Sequence, residues 1–480
     1  LNLLNNTNGG DYSNRLLYGY GDQARGEINI DQFDNVYLMS STYSTDFPVT
    51  FGSYSTTLNG KQDAIIAKFS PDLNNLLWCT YLGGSENEVG YAVRINNSGD
   101  VYVAGGTIST DFPTTTNSYN PTYNGGVTDG FVSRFSQDGS TLKSSTFLGT
   151  NNYDQTHFID IDKYGEIYAF GHSYGGNFPV NNVNYVDSGA GQYVIKLDSN
   201  LSTNIFSTTV GSRSGTGKID FSPTAFLVDR CQNIYISGWG ARNSTFPGLS
   251  LSQALNSSMP ITPDAFKPTT HGGNFYFMVL RKDADSLVFG SFFGGTSPSR
   301  EHVDGGTSRF DQDGVIYQSV CAGCGGNSNF PVKNAYFPTN GSSNCNNALF
   351  KVSLTVNPEA KLYVEKDSVC APANIEFKNT STNSNYFYWH LGNGEIDSTN
   401  KVISRTFSQP GVYSIKLVVG DSICGTSDTL VKEVKVFSND LNMVKLKDTI
   451  LCSSDSILLY PNFNGTVLDI IWSDTRDFKD

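Results

Sequence analysis

Strand-sized apolar runs separated by turn-forming residues recur along the first three quarters of the chain. The most regular run follows a polar turn and ends in tyrosine. Because short runs of this kind, bounded by Gly, Asn and Asp, are typical of β-strands, the pattern predicts one strand that is shared by five repeats. The five copies are Asn35-Val36-Tyr37, Asp100-Val101-Tyr102, Glu166-Ile167-Tyr168, Asn233-Ile234-Tyr235 and Val315-Ile316-Tyr317.

A Phe-Pro pair follows each of these strands, and a second apolar run ending in a basic residue follows each pair. The pairs are Phe47-Pro48, Phe112-Pro113, Phe178-Pro179, Phe246-Pro247 and Phe330-Pro331, spaced by 65, 66, 68 and 84 residues. The bases that end the second runs are Lys68, Arg134, Lys196, Arg281 and Lys351. A base at the end of an apolar strand is expected to face solvent or an acid, so we interpret all five as structural rather than as a cationic ring.

Each repeat then closes with an aromatic-rich segment that ends in glycine, as in Tyr81-Leu82-Gly83-Gly84 and Phe147-Leu148-Gly149. A further run, such as Tyr91 to Ile95, lies between this glycine and the next turn. Four short strands per repeat, arranged radially, are the expectation for a β-propeller. We therefore predict an all-β fold in which residues 1–357 form five four-stranded blades.

The fifth repeat lacks its closing segment and continues from Val352 into Asn357-Pro358. An orphan copy of that segment, Leu17-Tyr18-Gly19-Tyr20-Gly21, stands near the start of the chain. We predict that this N-terminal segment supplies the missing strand of the last blade and closes the ring. The alternative is that further blades preceded Leu1.

The pattern changes after Pro358. Tyr413, Ile415, Leu417 and Val419 alternate with more polar residues, and Trp389 precedes the turn Gly392-Asn393-Gly394. A period of two with one apolar face predicts a half-buried strand, and the turn predicts a hairpin. We predict a small β-sandwich over residues 358–438, followed at 439–480 by the start of a further immunoglobulin-like module.

Composition and charge argue against two classes of function, nucleic-acid binding and membrane insertion. The net charge is −13, the sequence pI is about 4.8 and charged residues make up only 16% of the chain. Such a surface repels phosphate backbones and anionic headgroups, so we expect no nucleic-acid partner. No apolar stretch approaches the roughly 20 residues of a membrane span, so we expect no membrane insertion. Because the chain opens at Leu1 without a signal peptide, we expect a processed, exported product.

Three segments resemble the bacterial β-propeller repeat often labelled SBBP. They are Asp46-Phe47-Pro48, Asp63-Ala64-Ile65-Ile66-Ala67-Lys68 and Tyr81-Leu82-Gly83-Gly84. The later copies depart from this repeat, because Asn177, Thr245 and Asn329 replace the Asp before Phe-Pro. The resemblance implies the propeller fold and says little of function, since one fold hosts many sites.

The second region resembles the polycystic-kidney-disease (PKD) domain in Glu376 to Ser381, Trp389 to Gly394 and Phe407 to Tyr413. Leu391 and Asn393 depart from the family's usual Phe and Asp. A propeller followed by PKD-like and immunoglobulin-like modules resembles the large surface proteins of Bacteroidota, which are often exported by the type IX secretion system and sometimes linked to gliding motility or adhesion. The resemblance implies an extracellular or outer-surface location. The partners it implies are a protein or glycan there, or the secretion or motility machinery.

Eight cysteines in an exported chain predict disulfides. Cys370 opens the first core strand of the PKD-like module and Cys424 follows its Tyr413 to Val419 strand, so we expect these two to pair across the sandwich. We expect Cys452 to be unpaired. Cys345 lies in one loop with Cys321 and Cys324, and we predict a disulfide from Cys345 to one of them rather than a redox or zinc site.

Two motifs resemble catalytic or metal sites but fit the repeat better as turns. Gly171-His172-Ser173-Tyr174-Gly175 has the nucleophile pattern of hydrolases, yet Ser173 aligns with Thr107 at a strand end, and no helix follows. Asp311-Gln312-Asp313-Gly314 resembles the start of a calcium loop, although the later ligands are absent. We predict no catalytic residues and no cofactor, and keep Asp311 and Asp313 as candidates for a structural calcium.

Asp followed by Ser or Thr and an aliphatic residue resembles the O-glycosylation acceptor signal of Bacteroidota. The alternative is a plain strand-entry turn. The candidate acceptors are Ser286, Ser368, Ser422, Thr429, Thr449 and Ser456.

From these observations we predict a non-enzymatic surface or secreted protein whose propeller is a rigid binding or docking platform on a stalk of sandwiches. The alternative is a carbohydrate-binding or carbohydrate-active protein that uses one propeller face. Two carboxylates beneath exposed aromatic residues in a groove would favour the alternative.

Overall fold

The structure is a computed structural model. It describes residues 16, 26–240, 257–296, 301, 303, 309–323, 330–354, 356–392, 394–422, 425–438, 442–443 and 463–464. Within these ranges the chain forms no α-helix and one short 3-10 helix, Lys282–Ala284. The chain divides into two compact units, Leu1–Thr355 and Val356–Asp480. The all-β prediction is confirmed.

The first unit contains a series of antiparallel sheets, each a meander in which neighbouring strands follow one another in sequence. The first sheet consists of β1 (Glu27–Ile30), β2 (Val36–Thr42), β3 (Asp63–Phe69) and β4 (Leu76–Leu82). The second consists of β5 (Glu88–Ile95), β6 (Val101–Thr107), β7 (Asp129–Phe135) and β8 (Leu142–Leu148). The third consists of β9 (Asp154–Ile161), β10 (Ile167–Ser173), β11 (Gln192–Leu197) and β12 (Asn204–Val210). The fourth consists of β13 (Ser222–Val228), β14 (Ile234–Trp239), β15 (Phe275–Leu280) and β16 (Leu287–Phe293).

Successive sheets pack against one another, which explains the near-continuous apolar runs. The strands β6 and β10 are buried along their whole length, because both faces of these sheets are covered. The first strand of each sheet contacts the first strand of the next, from β1 through β5 and β9 to β13. One core cluster accordingly joins Tyr37 and Met39 of the first sheet to Val103 and Phe131 of the second.

The fifth sheet contains three described strands, β17 (Arg309–Phe310), β18 (Val315–Ala322) and β19 (Asn346–Ser353). Within the described residues no strand pairs with the outer edge of β19, and the Leu349 side chain is 77% exposed, whereas the corresponding β3 and β11 are buried. The predicted closing strand, Leu17 to Gly21, lies outside the described residues, so its pairing stays a prediction. The preceding residue, Leu16, is buried against Val89, Tyr91 and Ile108 of the second sheet.

The second unit is a β-sandwich, as the alternation of Tyr413 to Val419 predicts. Its core surrounds Trp389, which is fully buried and donates its indole N–H to the Asn400 carbonyl oxygen at 3.0 Å. One sheet contains β20 (Leu362–Val364), β22 (Ala373–Asn379) and β25 (Val402–Phe407). The other contains β21 (Ser368–Cys370), β23 (Tyr386–His390), β24 (Ile396–Asp397), β26 (Gly411–Asp421) and β27 (Thr426–Phe437).

The predicted immunoglobulin-like start over 439–480 lies almost wholly outside the described residues. The described part is one antiparallel pair, β28 (Asn442–Met443) with β29 (Phe463–Asn464). Cys452, Thr449 and Ser456 are outside it.

Candidate functional site

The sheets of the first unit have two different ends. At the short-turn end, tight turns join the first strand to the second and the third to the fourth, as at residues 31–35. At the long-loop end, the loops from the second to the third strand and the links to the next sheet come together, as at residues 43–62 and 83–87. Both ends bury charged side chains, and these are the chemically distinctive groups of the unit.

At the short-turn end, three of the recurrent bases, Lys68, Arg134 and Lys196, form ion pairs with turn acids. Lys68 Nζ lies 3.6 Å from Asp31, and both side chains are buried. Arg134 contacts Asp100 at 2.6 Å. Four of the five bases also lie over the tyrosine of the neighbouring second strand. The base and ring pairs are Lys68 with Tyr37, Arg134 with Tyr102, Lys196 with Tyr168 and Lys351 with Tyr317, at 4.9 to 5.6 Å from the ring centroid.

The candidate calcium residues Asp311 and Asp313 lie in the short turn between β17 and β18. Asp311 Oδ1 accepts the backbone N–H groups of Asp313 and Val315, both at 3.0 Å. The Asp162 turn of the third sheet has the same arrangement, with Tyr164 and Glu166 as donors. Among the described residues, no cluster of three or more His, Cys, Asp or Glu side chains has a metal-binding arrangement. The geometry here is that of a side-chain-capped β-turn.

At the long-loop end, a glycine at the close of one sheet lies between two polar side chains. One lies at the start of the third strand of that sheet or directly before it, and the other lies at the start of the first strand of the next sheet or on the link that leads to it. We call each such place a junction. The four junctions are Asp63–Gly83–Glu88, Asp129–Gly149–Asp154, Gln192–Gly211–Asp220 and Asn274–Gly294–Glu301.

The junction glycine is required by close approach. A Cβ atom on Gly83 would lie 2.4 Å from a Glu88 oxygen, and one on Gly149 would lie 2.7 Å from Asp129 Oδ1. Contacts under 3.0 Å cannot be accommodated without displacement, so a side chain here would push the two acids apart. This accounts for the glycine that ends each repeat.

Burial and mutual repulsion disturb the acids of the first two junctions. Burial raises the pKa of Glu88 to about 7 and that of Asp129 to about 8, and the charge of the neighbouring acid adds to both effects. Burial also raises the pKa of Asp154 to about 6. The third and fourth junctions replace one acid by the neutral amide of Gln192 or Asn274.

A charged layer links the first strands of the sheets. Arg94 of β5 contacts Glu27 of β1 at 2.9 Å and Asp160 of β9 at 3.4 Å. Asp160 also accepts the backbone N–H of Val228 in β13 at 2.8 Å. Arg309 of β17 lies 3.9 Å from Glu27. The layer therefore contains residues from all five sheets.

Ser173 is a fully buried strand-end residue. It pairs with Asp154 across the β9–β10 ladder, just as Thr107 pairs with Glu88 across β5–β6. Thr107 donates its hydroxyl to Glu88 at 2.6 Å. The nearby His172 bonds through Nδ1 to His157 and through Nε2 to the Phe221 carbonyl oxygen, both at 3.2 Å. Both ring nitrogens of His172 are therefore hydrogen-bonded to partners other than Ser173.

The Cys370–Cys424 disulfide is wrong for this structure. Cys370 is an exposed free thiol that pairs in register with Phe437, at the end of β27. Cys424 lies outside the described residues.

The other cysteines were predicted only in part. Cys345 is disulfide-bonded. Cys324 lies outside the described residues, so the choice between Cys321 and Cys324 as its partner stays a prediction. Cys231, in a turn of the fourth sheet, is also disulfide-bonded. Its spacing from the other cysteines gave no signal for that bond.

Four of the six glycosylation candidates lie within the described residues. Ser368, Ser422 and Thr429 are exposed, and Ser286 is half-buried. Ser286 and Ser368 donate their hydroxyls to the preceding Asp at 3.2 and 3.3 Å. Their accessibility fits both acceptor sites and strand-entry turns.

Sequence reasoning did not single out the junction acids, although a signal was present. An Asp directly precedes the second apolar run at Asp63 and Asp129, and an acid follows the closing glycine five residues later at Glu88 and Asp154. These features lie far apart in the chain, and only the packing of successive sheets brings them together.

The comparisons with known proteins concern mainly the second unit. Residues 355–436 match the family profile of the PKD domain, so this part of the chain is a PKD domain. The chain is similar to the PKD1 domain of the Vibrio cholerae metalloprotease PrtV, with 26% identity over 17% of this chain and 96% of that chain and a TM-score of 0.15. It is also similar to carbohydrate-binding modules of the β-sandwich superfamily, with 23% identity over 18% of this chain and 38% of that chain and a TM-score of 0.17.

Over a longer range the chain is similar to a polysaccharide lyase, an ulvan lyase. The identity is 12% over 85% of this chain and 91% of that chain, with a TM-score of 0.33. No curated protein matches the sequence. The described residues contain no helix long and apolar enough to cross a membrane.

Proposed function

We propose that the five sheets of the first unit form a closed five-bladed propeller. The observation that carries this proposal is the charged layer, in which Arg309 of the last sheet lies beside Glu27 of the first. The fourth and fifth sheets also meet, with Tyr235 and Phe310 rings 5.7 Å apart. Contacts thus follow one another from each sheet to the next and back to the first, as in a ring.

Ring closure by the N-terminal segment can be tested by disulfide trapping. In the first sheet Tyr81 pairs with Ile65. Under the proposed closure, Leu17 would pair in the same way with Ala348, the residue of the fifth repeat that corresponds to Ile65. Oxidation of a Leu17→Cys/Ala348→Cys variant should give an intramolecular cross-link, detected by peptide mass mapping. The matched control is Leu17→Cys/Val89→Cys, because Leu16 contacts Val89. A cross-link in the control but not in the first variant would place the segment on the second sheet and refute this closure.

We further propose that the protein is a non-enzymatic extracellular binding or docking protein, with the PKD domain as part of its stalk. PKD domains are typical of extracellular proteins. The acid pairs Asp63 with Glu88 and Asp129 with Asp154 are fully buried, so they support a structural role rather than general acid–base work on a substrate. A protein or glycan at the cell surface, including secretion or motility machinery, is the partner this layout suits.

The full chain should bind intact cells or isolated surface fractions of its source in a saturable manner, measured with fluorescently labelled protein. Residues 356–438 alone serve as the control for the stalk. Equal binding by residues 356–438 alone would show that the propeller is not the docking platform. Turnover of a surface polysaccharide by the full chain would refute the non-enzymatic proposal.

One observation favours carbohydrate binding as the second candidate. Tyr336 and Phe337, in the long loop of the fifth sheet, are 91% and 83% exposed, and their ring centroids are 4.8 Å apart. Exposed aromatic faces suit stacking against sugar rings. Binding on a glycan array should then be lost in Tyr336→Ala/Phe337→Ala and retained in Phe51→Ala, which removes an isolated exposed ring. Absence of any glycan binding by the unmodified chain would eliminate this candidate.

O-glycosylation remains a separate proposal. Ser368, Ser422 and Thr429 are exposed, so a glycosyltransferase could reach their hydroxyls. Intact-mass analysis of protein secreted by its native host should show added hexose-type masses that are lost in Ser368→Ala, Ser422→Ala and Thr429→Val variants. An unmodified mass in secreted protein would refute the proposal.

A further inference from the structure

The second junction differs from the others in how its acids are bonded. Asp129 begins β7 and Asp154 begins β9, and both side chains are fully buried. Asp129 Oδ2 accepts the Asn124 backbone N–H at 2.6 Å, and Asp154 Oδ2 accepts the Thr150 backbone N–H at 2.7 Å. The second oxygens, Asp129 Oδ1 and Asp154 Oδ1, have no hydrogen-bond partner within the described residues. Each acid is thus anchored by one oxygen, and at Asp154 the neighbouring Ser173 hydroxyl partly offsets the effect of burial on the pKa.

We propose that Asp129 and Asp154 share one proton and that this carboxyl–carboxylate pair is a pH-sensitive clasp between the second and third sheets. Two carboxylates held on either side of Gly149 cannot both ionise in a buried site without strong repulsion. A single proton neutralises one of the two carboxylates and supplies a hydrogen-bond donor to the other. No bound ligand is needed to hold the pair together.

The fourth junction shows what kind of group fits this place. Asn274 directly precedes the third strand β15, as Asp129 begins the third strand β7. Its amide Nδ2 donates to Glu301 Oε2 at 3.4 Å, across Gly294. An uncharged side chain that donates a hydrogen bond therefore bridges to the acid of the next sheet there. A protonated Asp129 is close to asparagine in shape, and its single O–H can donate one such hydrogen bond.

The surroundings supply no competing positive charge. Among the described residues, no Lys, Arg or His forms an ion pair with Asp129 or Asp154. From β11, the buried Tyr193 hydroxyl lies 2.7 Å from Thr156, and burial keeps the pKa of this phenol well above its usual range. Thr107 of β6 pairs with Glu88 of β5 on one side and with Asp129 of β7 on the other. Thr107 therefore lies between Glu88 and Asp129. Burial also raises the pKa of Glu88, so this neighbour adds no cation.

The pH dependence has a definite sign. Burial and the charge of Asp154 raise the pKa of Asp129 to about 8, against about 3.9 for an unfolded Asp. The folded protein therefore holds a proton that the unfolded chain has lost, and stability falls as the pH rises toward 8. One retained proton changes the unfolding equilibrium constant by about tenfold per pH unit.

The test compares wild-type protein with Asp129→Asn in denaturant unfolding between pH 6 and 8. Asparagine is a permanent donor, so the variant should lose the tenfold-per-unit increase of the unfolding constant that the wild type shows. Asp138→Asn, which changes an exposed turn acid, is the matched control and should keep the wild-type profile. Equal pH profiles for wild type and Asp129→Asn would overturn the proposal.

Two further measurements keep the proposal falsifiable if Asp129→Asn folds poorly. Infrared spectroscopy of the wild type at pH 7 should show a protonated carboxylic acid band that disappears as the pH passes 8. Lack of that band would overturn the proposal. Titration of the wild type with CaCl2 at pH 8 should leave its melting temperature unchanged. A rise that Asp129→Asn lacks would show that a divalent cation, rather than a proton, holds the pair.

Discussion

At the short-turn end of the first three sheets, a buried acid lies beside a base and a tyrosine ring. At the long-loop end of the same sheets, a buried acid lies beside a second acid or an amide. Burial acts against ionisation at both ends. At the short-turn end, hydrogen bonds from Lys143 and Arg134 overcome it and hold the pKa of Asp100 below its usual value. At the long-loop end, no Lys, Arg or His of the described residues forms an ion pair with Asp129 or Glu88, so burial raises the pKa of both acids.

The difference follows from where the bases fall in the repeat. Each base ends the third strand and so always lies at the short-turn end, whereas the acid that begins the same strand lies at the long-loop end. The strand separates the two charges by its whole length. In the first two sheets, one end thus favours ionised acids, with the pKa of Asp31 and Asp100 lowered, and the other end favours protonated ones. Asp229 of the fourth sheet is an exception, because burial raises the pKa of this short-turn acid.

Removing a base at the short-turn end should have the largest effect. Lys196 is 4% exposed and contacts Asp162 at 3.3 Å and Glu166 at 2.5 Å. Lys196→Met leaves Asp162 buried without its cation, which should lower the free energy of unfolding by about 3–5 kcal/mol. Denaturant unfolding at pH 7 measures the loss. Lys61→Met, which breaks an exposed pair with Glu86, is the control and should change stability by less than about 0.5 kcal/mol. Similar losses in the two variants would contradict this account of the short-turn end.

The two ends should also respond to pH with opposite signs. The pKa of Glu88 is raised by burial to about 7, so its contribution to stability is lost as the pH rises from about 4.5 to 7. The pKa of Asp100 is lowered, so its contribution is present above about 4 and is lost as the pH falls. Glu88→Gln should flatten the wild-type stability profile on its neutral side, on the order of 1.4 kcal/mol for each pKa unit removed. Asp100→Asn should flatten it on the acid side only, as thermal unfolding across pH 3 to 8 will show. Flattening on the same side in both variants would remove the distinction between the ends.

The strand-end hydroxyls should give a smaller contrast within the long-loop end. Thr107 donates to Glu88 at 2.6 Å, so Thr107→Val should cost about 1–2 kcal/mol. The Ser173 hydroxyl lowers the pKa of Asp154 but makes no hydrogen bond of regular geometry within the described residues, so Ser173→Ala should cost less than about 1 kcal/mol. Ser173 should also resist labelling by a fluorophosphonate probe, because it is buried. Labelling of Ser173, or a larger loss of stability on substitution of Ser173 than of Thr107, would support the interpretation of Gly171 to Gly175 as a hydrolase nucleophile motif.

The sequence predicted the strands and turns of this molecule better than the contacts between residues that are distant in the chain. Period-two alternation, the Tyr-ending strands and the closing glycines predicted the meanders and the sandwich, because each feature reflects the packing of one strand. The junctions could not be predicted, since Asp129 and Asp154 meet only through the stacking of two sheets. The Cys370 error has the same origin. Cys370 was expected to open the first core strand, whereas it is the exposed last residue of the short strand β21, and the parallel pairing of β21 with β27 depends on the sandwich topology.

The smallest effect is expected at Cys370 itself, in the second unit. Its thiol is exposed and free, and β21 pairs with β27 through backbone groups that a side-chain change leaves intact. Cys370→Ser should therefore alter the free energy of unfolding by less than about 0.5 kcal/mol, as for other surface substitutions. Iodoacetamide should modify Cys370 in native, unreduced protein, whereas the buried Cys79 should react only after unfolding. A Cys370 that resists alkylation until reduced would instead support a disulfide and require β21 to leave the end of β27. In that case the predicted disulfide would be right and the pairing of β21 with β27 would be wrong.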